Sequence, residues 1–483
     1  MRPNIQFNRC SDVSEHPAAT LALLLMLPLS LLAFGTLRPQ VALLVSLLGG
    51  ILFLPQRVYF DAPLIPPLGK NEVTTICILL SSMTLNRGIL RRFGFGRSID
   101  IFWWLLLIGG IGTVVANPDS VAYGPQTIAG LTAHDMVAVP VTVILQWVLP
   151  FILGRAYFRS QSDGKILLRG LLLGGLVYLP FVLIEMRFSP QLHRWIYGFS
   201  PYDFGQMMRE GGYRPVCFME HGLALALFYF VATTAGWTLL RAFPKQRPAW
   251  IMPAAIGLLV FFPLIRSFGA LLFVAISVLL IGITKPRTQV RVGLALTLVL
   301  CIYPMLKAKG WVPDEFFLNK VAQHNQLRAE SLQYRFVNER LYLEKALERP
   351  FFGWGGYGRW RAYGAGASDG AWVITLGESG FWGYYGRFAM VLASCCLALR
   401  RLKGLDIAQQ RILGGLSLIV GCCAFDLIPN GLWNMLTVFY CGALVGLAQG
   451  MNPNRRSLGD NLRSRLRIVL GQRVAATQRA VQR

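Results

Sequence analysis

The sequence predicts an all-α integral membrane protein. Three observations support this fold class: an apolar composition, long uncharged runs, and basic residues in alternate connections. Hydrophobic residues make up 54% of the 483 residues, charged residues only 14%, and the mean hydropathy is +0.49. A soluble domain carries roughly 25% charged residues, so this chain has too few polar groups to cover a surface in water. The composition therefore excludes a cytosolic enzyme, a secreted disulfide-rich protein and a disordered chain.

Thirteen apolar runs are candidates for membrane-spanning helices. A helix needs about 20 apolar residues to cross the hydrocarbon core of a bilayer, and several of these runs are shorter. Barrel strands would alternate apolar and polar residues, whereas these runs are continuous, so helices are the predicted elements. We therefore expect a polytopic bundle of about 12–13 transmembrane helices. The runs cover residues 18–36, 40–55, 72–87, 99–117, 136–158, 166–187, 222–241, 249–265, 269–284, 290–306, 380–399, 412–428 and 433–449.

Lys and Arg are concentrated in every second connection between these runs. Cytoplasmic connections of membrane proteins carry an excess of Lys and Arg, so the alternation sets the orientation of the chain. We place all the basic segments in the cytoplasm and the long or base-poor connections between them on the outer side. The net charge of 47 − 23 = +24 then reflects membrane topology rather than nucleic-acid binding. The basic segments are 87–97, 155–169, 241–247, 285–291, 400–411 and 455–483.

The two ends of the chain are predicted to be tails. Residues 1–17 are polar, and no small-residue cleavage site follows the first apolar run, so we expect no removable signal peptide. Prolines interrupt the first two runs, which leaves the side of Met1 open. Residues 450–483 interleave aliphatic residues with arginines. This pattern is typical of a basic helix on anionic cytoplasmic lipid, and a solvated tail is the alternative.

The chain is accordingly divided into membrane bundles and polar connections. None of its nine cysteines forms a Cys-x-x-Cys pair, and no acidic cluster stands out, so neither a metal site nor a disulfide frame is predicted. The predicted segments are an N-terminal tail (1–17), a first transmembrane bundle (18–187), an extracytoplasmic loop (188–221), further transmembrane helices (222–306), a large extracytoplasmic loop (307–371), C-terminal transmembrane helices (372–449) and a basic cytoplasmic tail (450–483).

The large loop 307–371 is predicted to fold over the bundle, since a structureless loop of this length is unusual. Ser331 is a candidate N-cap for a helix that ends at Pro350. Arg335 and Glu339 are four residues apart on that helix, so a surface ion pair is one expectation for Arg335. The apolar face of the helix is predicted to contain Leu332, Phe336, Leu343 and Leu347.

The loop continues with FFGWGGYGRW, in which Gly353, Gly355 and Gly358 match the spacing of a dinucleotide-binding fingerprint. That fingerprint must follow a strand and open a helix, whereas this segment follows a helix on the predicted outer side. We interpret these glycines instead as positions for tight turns or for close approach of another backbone.

The run from Arg335 to Gly383 resembles the signature of the O-antigen ligase/polymerase family, polytopic glycosyltransferases of bacterial cell-envelope polysaccharide synthesis. As in the family pattern, an arginine opens a helix and Pro350 follows fifteen residues later. A G-x-G turn comes next. The segment Glu378-Ser-Gly-Phe-Trp-Gly383 then matches the closing Glu-x-Gly-x-x-Gly of the family.

Two upstream segments extend the resemblance to residues 200–450. The stretch Arg266-Ser-Phe-Gly-Ala-Leu-Leu is similar to the family's Ser-Arg-Gly-Ala-Leu stretch. Arg214-Pro, followed by Glu220 and His221, is similar to its extracytoplasmic Arg-Pro segment.

Two positions depart from the family pattern. Asp369 occupies the place of the family's catalytic His, and the family's first arginine aligns with Phe268, two residues from Arg266. Ligation and polymerisation therefore both stay open, and a catalytically inactive assembly partner is a further possibility. A transporter or flippase of envelope precursors is the alternative of a different class, although the sequence shows no internal repeat.

The resemblance implies a GT-C-like fold in the bacterial cytoplasmic (inner) membrane. It implies transfer or polymerisation of saccharide units at the outer face, from an isoprenoid-diphosphate-linked oligosaccharide onto a glycan or lipid acceptor. Neither a metal nor any other cofactor is implied, and nucleic acid is not an expected partner.

Arginine holds phosphate oxygens through two parallel hydrogen bonds and stabilises the charge that grows on a leaving diphosphate. Arg214, Arg266 and Arg335 are therefore the candidate diphosphate ligands.

A carboxylate can take the proton from the attacking hydroxyl. Asp369 is the candidate base in place of the family's His, and a helix N-cap is its alternative role. Glu220 and His221 are an alternative base pair, or else a polar pair at the start of a helix. Glu378 is a further secondary candidate for the site.

Reporter fusions test the predicted orientation. We expect a green fluorescent protein fused after Lys403 to fluoresce, because the positive-inside rule places that connection in the cytoplasm. Alkaline phosphatase fused after Gly366 should be active, because the loop 307–371 is predicted to be outside. A fluorescent protein fused after Lys245 provides a second cytoplasmic position. The opposite pattern of activities would show that the orientation is reversed.

Overall fold

The computed structural model describes a helical protein. The described part is 74% helical, and its few strands form three two-stranded ribbons, so the all-α prediction is confirmed. The strands pair as Ser11–Asp12 with Val58–Tyr59, Val121–Tyr123 with Gln126–Ile128, and Met208–Arg209 with Gly212–Tyr213. The structure describes residues 11–12, 16–61, 65–94, 98–209, 211–323, 326–366, 370–432 and 434–451.

Seventeen α-helices follow one another along the described residues, with short 3-10 and π segments between some of them. The helices are α1 (Pro17–Thr36), α2 (Pro39–Phe53), α3 (Lys70–Leu85), α4 (Ile101–Val115), α5 (Ala133–Val143), α6 (Leu149–Tyr157), α7 (Gln161–Phe188), α8 (Leu192–Tyr197), α9 (Gly222–Ala242), α10 (Ile251–Phe261), α11 (Phe268–Ile283), α12 (Pro286–Ala308), α13 (Asp314–Ala322), α14 (Gln326–Glu348), α15 (Ala371–Arg401), α16 (Ile407–Asp426) and α17 (Met435–Gly450).

Each of the thirteen apolar runs coincides with helical structure. Among the described residues, seven helices are long and apolar enough to cross a membrane. Four further apolar helices are shorter: α2, α10 with the 3-10 turn that follows it, α11 and α17. The seven long spans are Pro17–Thr36, Ser98–Val115, Ala133–Tyr157, Gln161–Phe188, Gly222–Ala242, Pro286–Ala308 and Ile407–Asp426.

Several basic connections contact one another at one end of the bundle, which we call the basic end. The Lys165 Nζ donates to the carbonyl of Gln246 at 3.0 Å, and the Arg241 Nη2 donates to the carbonyl of Gly282 at 2.8 Å. The Arg411 guanidinium donates in turn to the carbonyl of Arg241. Described residues of the connections that alternate with them, among them Arg214, Arg266 and Arg335, meet around one cavity, and we call this region the loop end.

A buried ion pair joins α6 to the beginning of α4. Arg155 and Asp100 are both almost completely buried, and their Nη1 and Oδ1 atoms are 2.6 Å apart. The second terminal nitrogen of Arg155 donates to the carbonyls of Phe93 and Gly94, each at 2.9 Å, and the guanidinium lies over the Trp103 ring. A buried charge is tolerated when it is paired and hydrogen-bonded in this way.

The large loop contains two helices, α13 and α14, and the predicted beginning of α14 is wrong. The helix starts at Gln326, so Ser331 lies within it and is not its N-cap. The residues before Ser331 are themselves good helix formers, which explains the upstream extension. Its end at Glu348, just before Arg349 and Pro350, agrees with the prediction, because a proline disfavours helical geometry in the residue before it.

Lys307, at the end of α12, holds α13 and α14 against the bundle. Its Nζ lies 2.8 Å from both carboxylate oxygens of Asp314 and 3.3 Å from Oε2 of Glu339. The Trp372 Nε1, in the first turn of α15, donates to Oε1 of the same glutamate at 3.1 Å. Burial raises the pKa of Glu339, and the charge of Lys307 opposes this shift. This cluster fixes one turn of α14 against two helices of the bundle.

The glycine-rich segment after α14 is inserted into a break in α15. The break is at Gly380, where φ is 57° and ψ is −163°. The Phe381 N–H donates to the carbonyl of Pro350 at 2.7 Å, and the Trp354 N–H donates to the carbonyl of Gly377 at 2.8 Å. Backbone groups left without helical partners at the break are therefore satisfied by the inserted segment.

The glycines of this segment have the turn geometry that the sequence analysis predicted. Gly353, Gly355 and Gly358 all have positive φ, between 66° and 84°. A Cβ on Gly353 would lie 2.6 Å from the carbonyl carbon of Glu378, and one on Gly380 would overlap with the Phe351 backbone. The segment is a series of turns and opens no helix, so the interpretation as turns and close backbone approach is confirmed.

Gly380→Ala should destabilise the protein strongly. The backbone conformation of Gly380 is one that essentially only glycine adopts, at a cost of about 1–3 kcal/mol for other residues, and its Cβ would overlap with neighbouring backbone. For a protein of this size we expect a loss of several degrees in the unfolding temperature in detergent, measured by a fluorescence melting curve.

The matched control is Gly356→Ala in the same segment, where φ is negative and no heavy atom lies within 4 Å of the position that a Cβ would occupy. Equal melting temperatures for the two variants would contradict the structural role of the break.

Candidate functional site

The loop end contains a cavity of about 1000 Å³. Three arginines, Arg214, Arg266 and Arg335, line this cavity, and they come from three separate segments of the chain. The same three arginines are the candidate diphosphate ligands predicted from the sequence. The remaining lining comes from His221, Leu223, Ser267, Phe268, Gly269, Ala270, Leu272, Phe273, Ile374, Phe425, Asp426, Pro429, Asn430, Gly431 and Leu432.

Arg214 is the most deeply buried of the three, with a relative exposure of 4%. It follows the small ribbon of residues 208–213, and its backbone N–H donates to the carbonyl of Met207 at 2.7 Å. Its side chain passes the first residue of α9, Gly222. A Cβ at that position would lie 2.8 Å from Cδ and 2.9 Å from Nε of Arg214. The glycine therefore leaves the space through which the guanidinium reaches the cavity.

Arg266 stands at the sharp connection between the 3-10 turn Phe262–Ile265 and α11. Its backbone is left-handed, with φ 57° and ψ 44°, a conformation that costs a residue with a side chain about 1–2 kcal/mol. Its guanidinium packs on Gly212, where a Cβ would overlap with both terminal nitrogens. The ribbon that carries Arg214 therefore also supports Arg266. Arg266 belongs to the cavity, and so does Phe268, the position that aligns with the family's arginine.

Arg335 reaches the cavity from α14, the helix that lies over the bundle. The prediction of a surface ion pair with Glu339 is wrong about the surface, because Glu339 is buried, with a relative exposure of 8%. Glu339 pairs with Lys307 and accepts the hydrogen bond from Trp372. The glutamate thus anchors the helix that carries Arg335, four residues before it.

Asp426 is a cavity residue that the sequence analysis missed. It ends α16, and its Oδ1 accepts a hydrogen bond from the Asn430 side chain at 2.9 Å. It is close enough to Arg214 for the two charges to interact. The signal was present in the sequence, because Asp426 is the one charged residue of the apolar run 412–428. Placing an ionisable residue within such a run costs free energy, and residues of this kind usually have a function.

A second, smaller cavity of about 210 Å³ adjoins the first. Arg214, His221 and Leu432 line both cavities, so the two spaces meet at these side chains. Glu220 lies in the smaller cavity. Desolvation by the surrounding protein raises the pKa of Glu220, and the charges of Lys70 and Arg57 act against this shift. The full lining is Arg57, Tyr202, Asp203, Met207, Arg214, Val216, Glu220, His221, Gly222 and Leu432.

His221 is the N-cap of α9. Its Nδ1 accepts the backbone N–H of Leu223 at 3.1 Å, so the predicted alternative of a polar residue at a helix start is confirmed for His221. A neutral imidazole that accepts at Nδ1 carries its proton on Nε2. The second nitrogen is then a donor. His221 and Glu220 therefore have different roles, because only the glutamate offers acceptor atoms to a ligand.

Of the other two predicted residues, Glu378 lines neither cavity. Asp369 lies outside the described residues, and the N-cap of the helix that follows it is Gly370. Glu378 is placed in α15 away from the arginines of the cavity. Its side chain interacts with Trp360 and with the charge of Arg387, and its backbone carbonyl accepts from Gly355 in the inserted segment.

The large cavity combines a cationic wall with apolar walls. The three guanidinium groups outnumber the one carboxylate of its lining, Asp426. Guanidinium groups bind phosphate oxygens through paired, charge-assisted hydrogen bonds. Such a lining fits a ligand with a multiply charged anionic group and an apolar part. Within the described chain, no group of three or more His, Cys, Asp or Glu side chains could hold a metal ion.

Comparison with known proteins adds no relative. No protein-family model matches the sequence, and no curated protein matches it either. The resemblance described above therefore remains a prediction.

Gly212→Ala should weaken the binding of inorganic diphosphate. The added methyl group would overlap with the Arg266 guanidinium and displace it from the cavity wall. A hydrogen bond to a charged group contributes about 1.5–3 kcal/mol, so we expect an affinity loss of about tenfold or more. Isothermal titration calorimetry in detergent measures this loss.

Gly269→Ala is the matched control for Gly212→Ala. Gly269 lines the same cavity, and no atom lies within 4 Å of a Cβ there. Equal dissociation constants for the two variants and the wild type would show that Arg266 does not contribute to the binding of the anion.

Proposed function

We propose that this chain is a membrane glycosyltransferase of the O-antigen ligase/polymerase type. It transfers or polymerises saccharide units from an isoprenoid-diphosphate donor, at the outer face of the bacterial cytoplasmic membrane. One observation carries the proposal: Arg214, Arg266 and Arg335, from three distant segments, line a single cavity whose other walls are largely apolar. A soluble anion would need the arginines alone, whereas a lipid-linked diphosphate also needs the apolar walls.

The proposed membrane topology follows the two ends of the bundle. The seven long apolar helices and the four shorter ones support a multi-pass protein, and the GT-C-like arrangement is part of the proposal. The basic end faces the cytoplasm in this proposal, because Lys and Arg are retained on that side. The loop end, with the cavity, then faces outward, where lipid-linked saccharides are assembled into polysaccharide.

The wall formed by α11 supports a lipid-linked ligand. Phe268 begins this helix beside the cavity and is 77% exposed. Exposed apolar side chains continue from it at spacings of three or four residues: Leu272, Ile276, Leu279 and Ile283. With a rise of 1.5 Å per residue, this stripe runs about 22 Å along the helix. An isoprenoid chain can lie along the stripe while its diphosphate reaches the arginines.

The chemistry assigned to the arginines is stabilisation of the leaving group. When the bond between the sugar and the diphosphate breaks, negative charge grows on the phosphate oxygen that departs. Fixed guanidinium groups stabilise this charge without reorganisation, and each well-placed donor typically contributes a factor of about 10² to 10³ in rate. The diphosphate is already a good leaving group, so an acid to protonate it is not required.

Arg335→Ala should abolish most of the activity of the reconstituted protein. The assay uses purified protein in liposomes with the isoprenoid-diphosphate oligosaccharides extracted from the native host, and detects lengthened or transferred glycan by gel electrophoresis. We expect a rate loss of about 100-fold or more, because one charged contact to the leaving group is removed.

Arg340→Ala is the control on the same helix. Arg340 is 81% exposed and pairs with Glu344, and exposed pairs contribute little to stability, so its activity should match the wild type. Full activity of Arg335→Ala would contradict the proposed role of Arg335 in stabilising the leaving diphosphate. Movement of intact donor across the membrane without any glycan transfer would instead favour the flippase alternative.

A further inference from the structure

The two adjoining cavities differ in size and in lining. The larger one, of about 1000 Å³, has the three arginines, and the smaller one, of about 210 Å³, has polar or charged side chains at six of its ten lining residues. They meet at Arg214, His221 and Leu432. These three side chains can therefore contact a group bound in either cavity. A glycosyl transfer needs two substrates at one point, and two cavities that share a wall provide this arrangement.

Glu220 differs from the other carboxylates that line the two cavities. The Oδ1 of Asp203 accepts the backbone N–H of Gly205 at 2.9 Å, and the Oδ1 of Asp426 accepts from Asn430 at 2.9 Å. The Glu220 carboxylate accepts no hydrogen bond from the described part of the chain and interacts with Lys70 and Arg57 only through charge. It is therefore available to accept a hydrogen bond from a bound hydroxyl.

The neighbours of Glu220 restrict what the smaller cavity can bind. The Tyr202 hydroxyl donates into the wall, to the carbonyl of Met219 at 2.6 Å. His221 presents a donor nitrogen, as its capping hydrogen bond to Leu223 requires. A cavity of about 210 Å³ with carboxylates, a hydroxyl group and cations in its lining fits a small polyhydroxylated group, and it is too small for an isoprenoid chain.

We propose that the smaller cavity is the acceptor subsite, which binds the terminal sugar of the acceptor, and that Glu220 is the base that takes the proton from its attacking hydroxyl. This inference rests on the proposed function. His221 would donate a hydrogen bond to a substrate oxygen at the shared wall. Asp426 would remain the counter-ion of Arg214.

The proposed step balances as follows. The acceptor hydroxyl gives its proton to the Glu220 carboxylate, and its oxygen forms a bond to the anomeric carbon of the donor sugar. The bond between that carbon and the diphosphate oxygen breaks, and its electron pair stays on the isoprenoid diphosphate held by the arginines. The products are the lengthened glycan, the isoprenoid diphosphate and a protonated Glu220, which then releases its proton to water.

Glu220→Gln tests this proposal in the liposome assay. The amide has the same shape but cannot accept the proton, so we expect the transfer rate to fall about 100-fold or more. The dissociation constant for inorganic diphosphate should stay unchanged, since the arginines are retained. Glu220→Asp should restore part of the rate. The control substitution of the same type is Glu344→Gln, on the exposed face of α14, which should transfer at the wild-type rate.

The pH profile gives a readout that a purely structural role would not change. The charged and titratable groups that face Glu220 are Lys70, Arg57, Arg214, Asp203, Tyr202 and His221. The base must be ionised, so the wild-type rate should fall as the pH is lowered through the pKa of Glu220, which desolvation raises. This acidic limb should be absent in Glu220→Gln, and any limb due to His221 should remain.

The outcomes separate the two proposals. If the wild type transfers no glycan at all, the proposed function fails. If the wild type is active and Glu220→Gln transfers at the same rate, the acceptor base is elsewhere and only this inference fails. Loss of transfer in Asp369→Asn together with full activity in Glu220→Gln would assign the base to Asp369. Parallel loss of transfer and diphosphate binding in Glu220→Gln would show a structural role and would also overturn the inference.

Discussion

Electrostatic repulsion among three guanidinium groups is the constraint on which the loop end of this protein depends. Arginine stays charged under all physiological conditions, so three of them around one cavity repel each other, and Asp426 is the one carboxylate in the described lining of that cavity. Such an arrangement persists only if the backbone holds each side chain in place. It also leaves the cavity prepared for an anion, because binding removes the repulsion that the fold maintains.

The structure meets this constraint with a separate support for each arginine. Asp426 provides a counter-charge for Arg214, and the small ribbon and two glycines shape the space for Arg214 and Arg266. The helix of Arg335 is held by the Lys307–Glu339–Trp372 cluster on one side and by the insertion of the following segment into α15 on the other. Apart from Asp426, these supports do not belong to the lining of the large cavity, so they can be rigid without blocking a ligand.

The parts of the fold that follow from solvation could be predicted from the sequence, and the parts that follow from tertiary contact could not. Apolar runs predicted helices because a backbone in lipid must satisfy its own hydrogen bonds, and the basic connections predicted the grouping at one end. The beginning of α14 was misplaced, because Ser331 is a good cap in isolation but helix formers precede it. The break at Gly380 depends on the segment that begins at Pro350, far upstream in the chain, and a local pattern does not reveal it.

The grouping of the arginines rested on the family resemblance. Asp426 was visible in the sequence but was not recognised.

The division between two cavities also has a chemical reason. A counter-ion must keep its charge throughout turnover, whereas a general base must lose its charge when it takes the proton. One carboxylate cannot meet both demands next to Arg214, because its protonation would expose the arginine to its like-charged neighbours. Asp426, hydrogen-bonded beside the arginines, suits the first role, and Glu220, in the adjoining smaller cavity, suits the second. In the proposed mechanism, Asp426 thus stays the counter-ion of Arg214 while the diphosphate departs, and Glu220 accepts the proton in the same step.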